Sequence, residues 1–172
     1  MEINSNDGLC DEMAFTSFFK EHIKALRNFI LYKFGNNEQA EDIAQEAFIK
    51  LWHNCTEVPL EKAKSYLYTV ANNSSLNQIA HQKVKLDYEN GFSGSSKNIE
   101  SPEFILEENE FKTKLLKAID QLNENQRVVF LMNRIDGKKY KEIALELNIS
   151  IKAVEKRMHL ALLELRKTIH SI

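Results

Sequence analysis

The sequence predicts an all-α fold made of two small helical domains joined by a flexible linker. Three observations predict it. Apolar residues recur at three- and four-residue steps through most of the 172 positions, the period of amphipathic helices. Only five Gly and two Pro are present, too few for the turns of an all-β fold. The stretch Asn90-Gly91-Phe92-Ser93-Gly94-Ser95-Ser96-Lys97 breaks the pattern with linker composition. The expected boundaries are 10–87 for the first domain, 88–102 for the linker and 103–172 for the second domain.

In the first helix, Phe15, Phe18, Phe19, Ile23, Leu26, Phe29, Ile30 and Phe34 form one apolar stripe, and Gly35-Asn36-Asn37 stops it. A second helix is expected from about Glu38 to Asn54. At 100° per residue, Ala44, Ala47, Phe48, Leu51 and Cys55 share its core side. Asp42, Gln45, Glu46, Ile49 and His53 lie opposite, with Trp52 at the boundary. A polar outer face is normal for a surface helix. An exposed Ile49 among acids with Trp52 beside it is less ordinary, because apolar groups edged by charge suit a docking surface. After Pro59 a third helix runs from near Glu61 to about Lys85. Ser101-Pro102-Glu103 marks a further start, with Pro at the first helical position.

The strongest local signal spans Tyr140 to Met158. Ile143, Ala144 and Leu147 face inward on a short helix. Asn148 suits a left-handed turn, Ile149 seals the corner, and Ser150 is placed to N-cap the next helix. Val154 and Met158 then continue inward, with Ile151, Leu162 and Leu165 on the same stripe. Lys152, Lys156, His159 and Leu163 point the other way. This is a helix-turn-helix with a basic outer face. Ser150 and Lys152 stand where a recognition helix meets base edges, and its N-terminus can also hold phosphate. An ordinary helical hairpin explains the pattern less well than DNA binding does.

Charge supports that division. The formal net charge is only −2, but it is −5 over residues 1–63, +2 over 64–87, −4 over 88–109 and +5 over 110–172. The basic tail suits a polyanion. Cys10 and Cys55 form no metal or redox spacing. They are expected to be reduced thiols in a cytoplasmic protein, Cys55 as a small buried hydrophobe and Cys10 in a frayed terminus. The acidic, polar N-terminus is not a secretory signal, and no apolar run reaches the length of a membrane span. Asp42 and Glu46 have no His at ligand spacing, so no metal is expected, and no cofactor. An enzyme would draw on His22, His53, His81, Cys10 or Cys55. No nucleophile elbow, phosphate-binding Gly loop or zinc-protease motif accompanies them, and no catalytic residue is assigned.

Taken together, these pieces resemble the extracytoplasmic-function (ECF) group of bacterial sigma-70-family RNA polymerase sigma factors, from about Phe15 to Lys167. Ala40-Glu41-Asp42-Ile43-Ala44-Gln45-Glu46-Ala47-Phe48-Ile49-Lys50-Leu51-Trp52 resembles the family's polymerase-binding helix. Tyr66-Leu67-Tyr68-Thr69-Val70-Ala71-Asn72-Asn73 resembles the start of its promoter-melting helix, and Leu116 to Arg166 its fourth region. The resemblance implies a transcription initiation factor with no catalysis of its own. It implies that Asp42, Gln45, Glu46, Ile49 and Trp52 engage the clamp helices of the largest subunit of core RNA polymerase, and that the second domain meets the flap of the second subunit. It places Asn73, Asn77, His81, Gln82, Lys83 and Lys85 at the −10 element of promoter DNA, where extruded bases are captured. It places Ser150, Lys152, Lys156, Arg157 and His159 at the −35 element, in the major groove. It threads Glu89 to Ser101 toward the polymerase's RNA-exit path. It also implies an anti-sigma factor, of a kind often membrane-anchored. The chain ends six residues after Arg166, so no further C-terminal sensor domain is expected.

This chain departs from the family pattern in three places. Where the family often carries Arg, it has Asn72 and Ala80-His81-Gln82-Lys83, which weakens the expected phosphate contacts. Asn148 replaces the usual turn Gly. Glu155 on the recognition helix is an acid near phosphate, suited to accept from cytosine or to pair with Lys152 or His159. A stand-alone regulator would need only the C-terminal half and has no use for the helix at 40–54.

Overall fold

The computed structural model describes residues 8–78 and 102–169. Among these there are seven helices and no strand: α1 Glu12–Phe34, α2 Asn37–His53, α3 Leu60–Gln78, α4 Pro102–Gln121, α5 Glu124–Arg134, α6 Tyr140–Leu147 and α7 Ile151–Thr168. The expected linker and most of the expected −10 residues (His81, Gln82, Lys83 and Lys85) lie outside the described residues.

Short-range chemistry sets the helix ends. The Asp11 carboxylate accepts from the Ala14 amide at 2.8 Å and starts α1. Gly35, at φ 72°, ends α1 by donating its amide to the Leu31 carbonyl. The next residue, Asn36, caps α2 by accepting from Gln39. Two residues thus close one helix and open the next, which fixes the α1–α2 hairpin. Asn123 and Gln126 form a capping box at α5. Asn148 is left-handed at φ 52° and ends α6, and Ser150 caps α7 by accepting from Ala153 at 3.1 Å. Helix α2 starts one residue before its expected position, at Asn37.

In the first half, Leu26 and Ile30 of α1 pack with Ile43, Ala44, Ala47 and Leu51 of α2 and with Ala63, Leu67 and Ala71 of α3, all at about 1% exposure or less. Phe15, Phe18 and Phe19 set their rings edge-on around Phe48. In the second half, Ile119, Val129, Leu131, Met132, Ile143, Val154, Met158 and Leu165 are buried. Ile151 departs from the expected inward stripe and is 45% exposed. At the first position of α7 it precedes the turn that packs on α5, so nothing covers it.

The cysteines correct the sequence reading. Cys10 and Cys55 are disulfide-bonded, with Cα atoms 5.2 Å apart. Leu9, 2% exposed, anchors the start of the chain in the core. That brings Cys10 against the turn that follows α2. The 45-residue separation is no motif, so only the fold could reveal the pair.

The two halves pack against each other, α1 on α5 and α3 on α6. Arg127 of α5 donates through Nε to the Tyr32 carbonyl at 2.8 Å and through Nη2 to the Lys33 carbonyl at 2.9 Å, across to the end of α1. Its Nη1 meets the Asp120 and Leu122 carbonyls of its own half at 3.3 Å. Lys33 pairs with Glu124 at 2.9 Å. The Tyr32 hydroxyl and the Asn28 amide donate to Asp136 at 2.8 and 3.1 Å. Glu146 of α6, 3% exposed, accepts from Lys64 of α3 at 2.7 Å and from Lys138 at 2.6 Å.

Burial alone raises the pKa of Glu146, but the hydrogen bonds and charges of Lys138 and Lys64 outweigh it and hold the carboxyl below its ordinary value of 4.5. Burial, the Glu146 charge and its hydrogen bond raise the Tyr68 hydroxyl far above its usual range. His22 is lowered from 6.5, chiefly by burial.

Reduction is expected to lower the thermal midpoint, because a loop closed over 45 residues restricts the unfolded chain by up to about 4 kcal/mol. Cys10→Ser should show the same fall and no further response to reductant in a melt followed by circular dichroism. Glu146→Gln strands two lysines and should cost about 2–3 kcal/mol, discounted because Lys64 is partly exposed. The pH dependence has a defined sign. Glu146 titrates lower when folded, so its contribution is complete above pH 4.5 and is lost as pH falls below that. His22, also lowered, removes stability as pH falls below 6.5. Urea titrations between pH 7.5 and 3.5 should therefore show two successive losses, the lower one absent in Glu146→Gln.

Candidate functional site

Helix α2 presents one side to the core and leaves the other bare. Asp42 and Gln45 are exposed and Glu46 is half-buried. Ile49 is 57% exposed and Trp52 is 39% exposed. All five sequence-assigned docking residues therefore share the outer face of one helix. Glu46 and Lys50 pair at 2.7 Å one turn apart, and Lys50 also donates to the Ser74 hydroxyl at 3.2 Å. The Trp52 ring meets Phe15 edge-on, with centroids 4.8 Å apart. That contact fixes the indole while half its surface stays wet, which lowers the entropy cost of using it in an interface. Acid at one end and a rigid aromatic at the other make a face that can seat a protein partner.

The second surface is the outer side of α7. Lys152, Glu155, Lys156 and His159 are exposed there, and Ser150 caps the helix at its N-terminal end. Exposed Leu160 and Leu163 lie further along the helix. Arg157 sits apart from this group. It is half-buried and lines a cavity of about 260 Å³ between the halves, with Phe29, Lys33, Tyr68, Asn72 and Asn148 among the other walls. Lys33 is lowered by burial and then by the Arg157 charge across this cavity. In the closed molecule Arg157 therefore faces the first half, away from Lys152 and Lys156.

Of the −10 set, Asn73 is exposed near the end of α3. The Asn77 backbone lies in the last turn of that helix, and its side chain is outside the described residues, as are His81, Gln82, Lys83 and Lys85. Sequence reading missed Arg127, Glu146 and Asp136. An Arg four residues after the N-terminal cap of α5, and one of two acids on the first helix of the helix-turn-helix, carry no motif. Among the described residues no group of three or more His, Cys, Asp or Glu is placed to hold a metal, and no helix is long and apolar enough to cross a membrane.

Comparison with known proteins gives concordant matches. The model of sigma-70 region 2 matches residues 18–84, and that of sigma-70 region 4 matches residues 112–165. The ECF RNA polymerase sigma factor SigW of Bacillus subtilis is 30% identical over 148 residues, covering 80% of this chain and 79% of the relative. The ferric citrate uptake sigma factor FecI of Escherichia coli is 27% identical over 148 residues, 84% of each chain. Among solved structures, the sigma factor RpoE in complex with the anti-sigma factor NepR from Bartonella quintana has a TM-score of 0.62 at 18% identity. That likeness covers 91% of this chain and 97% of RpoE. CnrH in complex with the cytosolic domain of CnrY reaches 0.61 at 19%, covering 94% and 90%. These two likenesses concern the fold alone. Helix α2 lies within the region 2 match, the helix-turn-helix lies within the region 4 match, and the relatives extend over most of the chain. The chain belongs to the ECF group of the sigma-70 family of RNA polymerase sigma factors, transcription initiation factors that direct core polymerase to promoters.

Proposed function

We propose the following division of labour. Residues 10–87 bind core polymerase and the −10 element, residues 103–172 bind the −35 element, and residues 88–102 connect them. Asp42, Gln45, Glu46, Ile49 and Trp52 seat the clamp helices of the largest subunit. The observation that carries this is the exposed Ile49 and ring-braced Trp52 on an otherwise acidic helix face. Ser150, Lys152, Lys156 and His159 read the −35 element in the major groove, where a recognition helix places its N-terminal residues. Arg157, off that face, meets a phosphate once the halves part. Asn73, Asn77, His81, Gln82, Lys83 and Lys85 hold the opened −10 strand through amide and basic contacts.

The chain does no chemistry of its own, and it acts in the cytoplasm. The flap of the polymerase's second subunit receives the second half. An anti-sigma factor is a further partner, as RpoE has one in its solved complex. A stand-alone regulator accounts only for the second half, and the region 2 match over residues 18–84 speaks against it.

Two measurements test this reading. The variant carrying Asp42→Ala, Glu46→Ala and Trp52→Ala should bind core polymerase at least about thirtyfold more weakly, the loss of one strong interface residue or more. Its circular dichroism should be unchanged. Undiminished binding would remove α2 from the interface. For the −35 surface, promoter binding by the assembled holoenzyme should be titrated with salt. Lys156→Ala should reduce the slope of log affinity against log salt by about one. An unchanged slope would take Lys156 off the DNA.

A further inference from the structure

Two ties hold the start of α1 to the end of α2. One is the Cys10–Cys55 bond. The other is the edge-on contact of Phe15 with Trp52. Short backbone bonds link the two ties on both sides. On the α1 side, the Phe15 amide donates to the carbonyl of Asp11, the residue after Cys10, at 2.8 Å. On the α2 side, the Cys55 amide donates to the Trp52 carbonyl at 3.3 Å. Cys10, Phe15, Trp52 and Cys55 thus close one ring at the end of the proposed docking face. Glu12, Met13, Thr16 and Ser17 around it are exposed. A helix start with so little cover frays unless it is tied down.

The bond is within reach of small reagents. Cys10 is exposed and Cys55 is half-buried, and the chain holds no third cysteine to exchange with them. A cytoplasm keeps thiols reduced, and the disulfides that form there are usually transient and redox-sensing. A hydroperoxide makes the bond with balanced chemistry. One thiolate attacks a peroxide oxygen, becomes a sulfenic acid and, with its proton, releases the first water. The second thiol attacks that sulfur, closes the S–S bond and releases the second water. The pair loses two electrons and hydrogen peroxide is reduced to two waters. A cellular dithiol reverses the change by two exchange steps and is itself oxidised to a disulfide.

We propose that Cys10 and Cys55 form an oxidative modification site that sets the order of the docking face: the disulfide holds Trp52 ready for polymerase, and the dithiol leaves it loose. The proposal rests on the reading of α2 as the docking helix. Reduction leaves the Phe15–Trp52 contact without its covalent companion. The indole then recovers motion that binding must remove again, a loss of about fivefold in affinity for one side chain. Linkage makes the effect mutual. Bound polymerase should make the pair about fivefold harder to reduce, a fall of about 20 mV in its two-electron potential.

The test uses the full chain, oxidised with hydrogen peroxide or reduced with dithiothreitol and freed of reagent before it meets core polymerase. The double variant Cys10→Ser, Cys55→Ser supplies a form that cannot be bridged. Circular dichroism should show the same helix content in all three. Trp52 is the only tryptophan of the chain, so its fluorescence reports on the docking face directly. Reduction should lower its anisotropy and raise its quenching by acrylamide to the values of the double variant. Reduced wild type and the double variant should both bind core polymerase about fivefold more weakly than the oxidised protein. Equal affinity of the two wild-type forms would overturn the proposal, as would Trp52 signals unchanged by reduction or a redox response that survives in the double variant. The variant carrying Asp42→Ala, Glu46→Ala and Trp52→Ala separates the two readings. If it binds as tightly as wild type, α2 is not the docking face and the functional reading fails together with the redox role. If it loses binding while oxidised and reduced wild type bind alike, the redox role alone fails.

Discussion

The closed molecule depends on what happens to two carbonyl groups at the end of α1. A helix leaves its last four carbonyls without partners inside the helix. Gly35 returns its amide to Leu31, but the Tyr32 and Lys33 carbonyls point into the joint. Arg127 accepts that task with three donors divided between two halves. A guanidinium holds five donors in a fixed plane and keeps its charge at any physiological pH. A Lys at this position could reach one carbonyl but could not fork across both halves. The partial negative charge of a helix C-terminus adds to the attraction. Arg127 is 7% exposed, and its charge is compensated by oriented carbonyl dipoles. The Asp120 carboxyl nearby is raised by its own burial, with Arg127 pulling the other way.

Around that centre, the apolar core runs on from one half into the other, and polar groups are set into it at the joint. Its wall includes a cavity of about 260 Å³ bordered by Lys33, Asn72, Asn125, Glu146 and Arg157. Polar interfaces of this kind resemble transient protein–protein contacts, for which relative motion is the default. Ion pairs that leave water recover little beyond their desolvation. Such a joint can be specific in geometry and still be opened by a partner. The core under α2 is the opposite case. There Phe48 is ringed by three phenylalanines and Leu51 is fully buried, so the docking face rides on a rigid support. Aromatic and apolar packing thus backs the exposed face of α2, whereas ion pairs and a cavity border the joint between the halves.

This contrast also explains what the sequence disclosed. Helix ends were legible because their rules act over three or four residues. Gly35, Asn148, Ser150 and the Pro102 start all stand where residue chemistry predicts. The outer face of α2 was legible for the same reason, since helical phase separates Asp42, Gln45 and Ile49 from Ala44, Ala47 and Leu51. Contacts between distant residues were not. Cys10 and Cys55 meet only because Leu9 enters the core. Glu146 reads as one more acid on a short helix, and only the approach of α3 brings Lys64 to it. Arg157 enters the −35 set only through the family resemblance, and helical phase already sets it off the face of Lys152 and Lys156.

The charge blocks of the sequence gain a physical role from this arrangement. The first 63 residues carry −5 and the last 63 carry +5. Counted over the two packed halves, residues 8–78 and 102–169, the net charges are only −2 and +2, and salt screens charges more than about 8–10 Å apart, so close ion pairs rather than net charge hold the halves together. The basic outer side of α7 is the surface proposed above to face DNA, a polyanion of high charge density. The cations at the joint, Arg127, Lys33, Lys64 and Lys138, are distinct from the exposed Lys152 and Lys156 of α7. Asp42 and Glu46 already face outward on α2, Glu46 paired with Lys50. A negative docking face repels DNA and favours a protein surface of opposite sign. The exposed acids of α2 and the exposed lysines of α7 thus give the molecule two surfaces of opposite character.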